Sequence, residues 1–162
     1  MDFEALLQTH AEVAIALAGF ASVVAALRRP LSAFARQRFF SLLALSMIQI
    51  LGCLLPLWTA PLFTSSSTAW RTLSAVLLGL NAARMWWLVL RPSQTLGKGT
   101  LTVLHPLASK LVWGAGFVAL LLLALNVAGF PFSPSFNFYY AALLATLIAG
   151  FALFADVASS EP

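Results

Sequence analysis

Three polar side chains near the start of the chain recur at every fourth position. Glu4, Gln8 and Glu12 would lie within an arc of about 80° on a helix, because consecutive helical residues are turned by about 100°. An acidic track of this kind could attract cations or relay protons at the mouth of a pore. In the structural alternative, the Glu12 carboxyl group is hydrogen-bonded to Asn126, to Ser74 or to a tyrosine. The two interpretations differ in whether the carboxylate meets water or a dry contact.

Further polar residues fall inside other apolar stretches. Gln49 lies near the middle of its stretch, where it could continue the polar track or hydrogen-bond Asn81 between helices. Arg84 lies about two helical turns from the end of the next stretch, and its long stem can carry the guanidinium toward the membrane surface. Asp156 is the one acid expected at the same end of the bundle. The sequence therefore predicts an Arg84–Asp156 ion pair that joins two helices.

Catalytic and metal-binding chemistry finds little support. His10 and His105 would lie on opposite sides of a membrane, so they cannot share a metal ion or a haem, and His10 is expected to be an interfacial residue. The segment Gly97–Thr100 (Gly-Lys-Gly-Thr) resembles the end of a phosphate-binding loop but lacks the upstream glycine and the preceding strand. No serine has a histidine at its depth, and no two carboxylates share a level. We therefore expect no enzyme activity, no metal and no cofactor.

Five long apolar stretches must position these side chains. Hydrophobic residues make up 61% of the chain and charged residues 9%, with a mean hydropathy of +0.94, which is typical of an integral membrane protein. A hydrocarbon core about 30 Å thick needs roughly 20 helical residues. The sequence predicts one all-α domain over residues 1–162, a bundle of five transmembrane helices at about 5–27, 39–63, 70–90, 107–130 and 136–157.

Basic residues are distributed unevenly between the connections. Eight Lys and Arg residues lie in or beside the first and third connections, one lies beside the second, and the fourth has none. Because cytoplasmic connections carry the excess of Lys and Arg, we expect the N-terminus outside and the C-terminus inside. The net charge of +4 is scattered around helix ends rather than gathered on one face, so we expect no nucleic-acid partner.

Small side chains form stripes on the first and last predicted helices. In lipid, such stripes let two helices approach closely and gain van der Waals contact. We expect these helices to pack side by side, or each against a neighbouring subunit. The predicted packing residues are Ala14, Ala18, Ser22 and Ala26 on the first helix, and Ala145, Ala149 and Gly150 on the last.

The first apolar stretch also carries a family resemblance. From Ala11 to Arg29 it reads AEVAIALAGFASVVAALRR, which resembles the first helix of small, uncharacterised five-helix proteins of bacterial inner membranes. The resemblance covers mainly this helix. It implies a multi-pass protein of the bacterial inner (plasma) membrane with a similar helical layout, and it brings no activity with it.

Three classes of function compete. The first is a membrane subunit or interaction protein that assembles through small-residue helix faces with itself or with a larger membrane complex. The alternative is a homo-oligomeric ion channel or pore lined by the first two helices, since one protomer has too few embedded polar residues to enclose a path alone. A membrane enzyme is disfavoured because no reactive constellation appears. The direction in which Glu12 points discriminates best between the first two classes.

Overall fold

The computed structural model describes residues 3–27, 33–59, 62–95, 106–130 and 132–159 of the chain. Five helices account for almost all of them, which confirms the predicted all-α architecture and the number of helices. They are α1 (Phe3–Leu27), α2 (Ala33–Thr59), α3 (Ser66–Thr95), α4 (Pro106–Ala128) and α5 (Phe136–Ser159).

Four of these helices are long and apolar enough to cross a membrane. The apolar segments are Phe3–Leu27, Arg38–Thr59, Lys110–Ala128 and Phe136–Asp156, and they contain 19 to 25 residues each. The chain therefore has the helices of a multi-pass membrane protein. In the described part of the chain α3 is not among the four, although its 30 residues make it the longest helix. Its polar side chains, Arg71, Asn81 and Arg84, lower its hydropathy.

The helices pack with their sequence neighbours, and α2 and α5 form the centre of the bundle. Each of these two helices contacts three others substantially: α2 contacts α1, α3 and α5, while α5 contacts α1, α2 and α4. The most extensive pairing is between α4 and α5. The chain thus places its second and fifth helices at the centre, and α1, α3 and α4 around them.

The two ends of the bundle differ in chemistry. At the end where α1, α3 and α5 begin, the Trp70 ring centroid lies 6.0 Å from that of Phe3 and 5.3 Å from that of Phe136. We call this the aromatic end. At the opposite end, where α2 and α4 begin, Arg38 on α2 meets Asp156 on α5. We call this the basic end.

Two leucine side chains from neighbouring helices pack against Gly52 of α2. A methyl group at Gly52 would lie 2.8 Å from Leu143 Cδ2 on α5 and 3.2 Å from Leu77 Cδ1 on α3, so a larger residue would require these leucine side chains to move. The absence of a side chain at Gly52 lets the two leucines pack in their present positions. The three residues therefore lie at one level of the bundle.

Pro56 lies within α2, one turn beyond Gly52. A proline has no N–H, so the Gly52 carbonyl loses its partner in the helix. The Tyr139 hydroxyl of α5 donates a hydrogen bond to that carbonyl at 2.6 Å. A side chain of one central helix thus replaces the backbone donor that the other lacks.

Two helix limits differ from those predicted. Helix α2 covers Ala33–Thr59 rather than 39–63, and α3 extends beyond 70–90 to Ser66–Thr95. Hydropathy marks the apolar part of a helix and not its ends. At the start of α3, the Ser65 hydroxyl accepts a hydrogen bond from the Thr68 backbone N–H at 3.3 Å, a capping contact that fixes where the helix begins.

Candidate functional site

The acidic track on α1 faces away from the bundle. Glu4, Gln8 and Glu12 are all exposed, and Gln8 Nε2 donates a hydrogen bond to Glu12 Oε1 at 3.2 Å. The alternative partners for Glu12, Asn126 and Ser74, bond to each other instead at 2.7 Å. The predicted spacing thus produces one outward polar face, defined here by these three α1 residues.

Gln49 does not belong to that face, which corrects the predicted four-residue track. It is buried, its Oε1 lies 2.6 Å from His10 Nε2, and its own Nε2 donates to the Leu143 carbonyl at 3.1 Å. The expected bond to Asn81 is not formed, because Asn81 Nδ2 donates to the Leu77 carbonyl of its own helix at 3.0 Å. Gln49 therefore joins α1, α2 and α5 as an internal connector.

His10 was expected at the interface and is instead buried, with 3% of its surface exposed. Its ring also lies edge-on to Tyr140 on α5, with centroids 5.8 Å apart. The expectation considered His10 together with His105 as possible metal or haem ligands and not with a polar residue of a neighbouring helix. A signal was available: Gln49 is a buried amide that requires a partner from another helix.

A second polar junction ties α3, α4 and the start of α5. Asn126 Nδ2 donates to Ser74 Oγ and, at 3.1 Å, to the Ser135 carbonyl, while its Oδ1 accepts from the Ser135 backbone N–H at 2.8 Å. This buried side chain therefore satisfies both backbone groups of Ser135 as well as a hydroxyl. Its role is structural.

The small-residue stripe of α1 is only partly internal. Ala14 is fully buried, Ala18 is half-buried, and Ser22 and Ala26 are exposed. The α1 side chains that pack inside the bundle instead form a neighbouring stripe, which ends in Ala21 and Ala25. Ser22 and Ala26, the two stripe residues nearest the end of α1, therefore lie on the outward face of this helix.

The stripe on α5 is internal, as α5 lies at the centre. Ala145 and Ala149 are buried, and a methyl group at Gly150 would lie 3.1 Å from Leu17 Cδ2 of α1 and 3.5 Å from Leu45 Cδ2 of α2. The expected side-by-side packing of the first and last helices is present.

The predicted Arg84–Asp156 ion pair is replaced by another. Asp156 Oδ2 lies 2.6 Å from Arg38 Nη1, and both side chains are largely buried. Arg84 is also buried, but its Nε and Nη1 have no hydrogen-bond partner, and its Nη2 reaches only the Met85 sulfur at 3.5 Å. Helix α2, rather than α3, supplies the cation because Arg38 begins its apolar segment directly opposite the end of α5.

Reactive groups are sparse in the described part of the chain. No cluster of three His, Cys, Asp or Glu there could hold a metal ion. An open cavity of about 400 Å³ lies at the aromatic end, and its lining contains two serines but no ionisable side chain. The segment Gly97–Thr100 and His105 lie outside the described residues. What the described residues offer is one outward acidic face and one internal cation.

Comparison with protein-family models, with characterised proteins and with solved structures finds no match to this chain. The positions and contacts of the described side chains are therefore the basis for a functional proposal.

Proposed function

We propose that this protein is an integral membrane subunit that assembles through the outward face of α1, with itself or with a larger membrane complex. The observation that carries the proposal is the position of Glu12. It lies nine residues into an apolar helix, about 14 Å along the axis at 1.5 Å per residue, and it points away from its own bundle. A carboxylate that faces acyl chains at this depth is costly, and a protein partner or water must cover it.

The rest of the α1 surface suits close contact with another helix. A methyl group at Gly19 would find nothing within 4 Å, and Ser22 and Ala26 are exposed on the same arc. This side of α1 thus carries polar and small residues from Glu4 to Ala26, with the exposed Ile15 among them. Faces of this composition bind other helices in lipid, where small residues let backbones approach and polar groups bond across the contact.

The proposal includes five spans, with the N-terminus outside and the C-terminus inside. For α3 the support is its position: it packs against α2 and α4, and its Trp70 lies among the first turns of α1 and α5. The orientation rests on the excess of Lys and Arg in the first and third connections. The proposed location in the bacterial inner membrane rests on the family resemblance of the first helix.

A homo-oligomeric pore is the second candidate, and one observation favours it. Glu4, Gln8 and Glu12 follow one another on successive turns of a single exposed face. Copies that turned this face toward a symmetry axis would enclose an acidic path for cations. Gln49 would not line such a path, because it is buried between α1, α2 and α5.

Two glycines at equal depth allow a matched test of assembly. Gly19 lies eight residues before the end of α1, Gly114 lies eight residues after the start of α4, and both face open space. Because a methyl group at either position meets nothing within 4 Å, we expect neither Gly19→Leu nor Gly114→Leu to create a clash within one chain. We expect Gly19→Leu to weaken assembly by overpacking, on the order of ten- to a hundredfold, and Gly114→Leu to leave it unchanged.

The readout is the mass of the purified protein in mild detergent, by light scattering and native mass spectrometry, with every co-purifying chain identified. A parent protein that is a monomer with no co-purifying chain would refute the proposal. Equal assembly of the two leucine variants would refute assembly through the outward face of α1. Reconstituted liposomes separate the two candidates: a pore conducts cations, and Glu12→Gln lowers the conductance, whereas a subunit conducts nothing.

A further inference from the structure

Arg84 is the most unusual side chain of the described structure. Only 6% of its surface is exposed, and two of its three guanidinium nitrogen atoms, Nε and Nη1, meet no acceptor. These two atoms carry three of the five N–H groups of an arginine. The third nitrogen faces the Met85 sulfur at 3.5 Å, and a thioether is a weak acceptor. A buried cation with most of its donors unused is costly unless an anion binds there.

The level of Arg84 in the bundle follows from contacts of its neighbours. Leu77 of α3 lies level with Gly52 of α2, and the two helices are antiparallel. Arg84 is seven residues beyond Leu77 and Leu45 is seven before Gly52, so Arg84 and Leu45 share a level nearer the basic end. Leu45 packs there against Gly150 of α5. The backbone of Arg84 therefore lies at the level where Leu45 of α2 packs closely against Gly150 of α5.

The acid at this end is already engaged. Asp156 lies six residues beyond Gly150, about 9 Å along the axis, and pairs with Arg38 at 2.6 Å. The described charged side chains of the basic end are four cations and this one anion: Arg36, Arg38, Arg84, Lys110 and Asp156. The end therefore has positive charge in excess, and its deepest cation has no anion of its own.

We propose that Arg84 forms the inner wall of a binding site for a phosphate group, with Arg38 nearer the entrance and Asp156 as the internal competitor for Arg38. A guanidinium suits this ligand because its planar, permanently charged donors match phosphate oxygens. Phosphate groups are also the anions concentrated at a membrane surface, where basic pockets between transmembrane helices bind lipid headgroups. The source is a phospholipid of the adjacent leaflet or free phosphate from solution.

The test measures binding and thermal stability of the full-length protein in a neutral detergent. The probes are phosphatidylglycerol, diacylglycerol with the same acyl chains and no phosphate, and inorganic phosphate against chloride at equal ionic strength. The variants are Arg84→Met and, as the control, Arg36→Met, which removes an exposed cation from the same end. Native mass spectrometry counts bound lipid, and the midpoint of thermal unfolding reports stabilisation.

We expect the parent and Arg36→Met to bind a phosphate probe, and Arg84→Met to bind it on the order of ten- to a hundredfold more weakly. Without any probe, Arg84→Met should unfold at the same temperature as the parent or a higher one, since it removes an unpaired buried charge. Stabilisation by inorganic phosphate identifies a soluble ligand, and stabilisation by phosphatidylglycerol alone identifies a lipid.

Three results would overturn the site: no response to any phosphate probe, equal binding of diacylglycerol, or equal binding by Arg84→Met. A marked loss of stability in Arg84→Met without probe would show that Arg84 is a packing residue. These outcomes do not depend on the α1 face, so they are independent of the proposed assembly.

Discussion

The two halves of the bundle treat their buried polar groups differently. At the middle of the bundle and toward the aromatic end, Gln49 bonds His10 and Leu143, Tyr139 bonds the Gly52 carbonyl, and Asn126 bonds three groups at once. From the middle toward the basic end, the described structure leaves polar atoms without partners: Ser46 Oγ, Asn81 Oδ1, and Nε and Nη1 of Arg84.

This contrast distinguishes the part of the bundle that holds the helices together from the part that has capacity to bind a ligand. Buried polar groups that satisfy one another fix the relation between helices and leave no capacity for a ligand. Unsatisfied buried groups weaken a fold, so a protein that keeps them usually uses them. The aromatic half therefore has the properties of a structural framework, and the basic half retains unused hydrogen-bonding capacity.

The largest expected effect comes from comparing two buried asparagines. Asn126→Leu removes three hydrogen bonds and leaves the Ser135 N–H without a partner, while the Ser135 carbonyl keeps the bond from the Tyr139 N–H, so we expect it to lower the free energy of unfolding by about 2–4 kcal/mol. Asn81→Leu removes one bond within its own helix and an oxygen that has no partner, so it should be close to neutral. Reversible unfolding in mixed micelles measures both. Equal costs for the two variants would abolish the contrast between the halves.

A smaller effect is expected for a pair of glycines. Gly52→Ala forces the Leu143 and Leu77 side chains apart and should cost about 1–3 kcal/mol by overpacking. Gly79→Ala places its methyl group in open space and should be neutral or stabilise α3 by up to about 1 kcal/mol. The same unfolding measurement applies. A tolerated Gly52→Ala would mean that the central α2–α3–α5 contact is looser than its geometry indicates.

The smallest effect concerns the hydroxyl that replaces a backbone donor. Tyr139→Phe leaves the Gly52 carbonyl without a partner and should cost about 1 kcal/mol. Pro56→Ala restores the N–H that this carbonyl lacks, so the Tyr139→Phe cost should shrink in that background. A double-mutant cycle measures the difference. Additive costs would show that the tyrosine and the proline act independently.

The sequence predicted the helices far better than their faces. Apolar length alone placed α1, α4 and α5 within about two residues of their observed limits, because roughly 20 apolar residues have few alternatives to a helix in lipid. The direction in which each helix face points is harder to predict from the sequence. Both sides of α1 are rich in alanine and other apolar residues, so periodicity did not distinguish the stripe ending in Ala25 from the one ending in Ala26.

The polar contacts were the least predictable part. Asp156 was matched with Arg84 because the two lie near one end of the bundle, but the structure pairs it with Arg38. Arg38 lies seven residues before Leu45 and so comes close to the level of Asp156, whereas Arg84 lies about 9 Å from that level, beside Leu45. The sequence shows approximately which end of the bundle a residue belongs to, but not the offset and rotation of one helix against another.

The central position of α5 has a consequence for biosynthesis. It is the last of the five helices to leave the ribosome, yet it supplies the Leu143 carbonyl to Gln49, the Tyr139 hydroxyl to Gly52 and the Asp156 carboxylate to Arg38. Until it inserts, the Gly52 carbonyl of α2 lacks the Tyr139 hydroxyl, and the Gln49 amide lacks one of its two hydrogen bonds. A nascent chain that stops before α5 therefore lacks hydrogen bonds on which α2 depends, and cells remove incompletely folded chains by proteolysis.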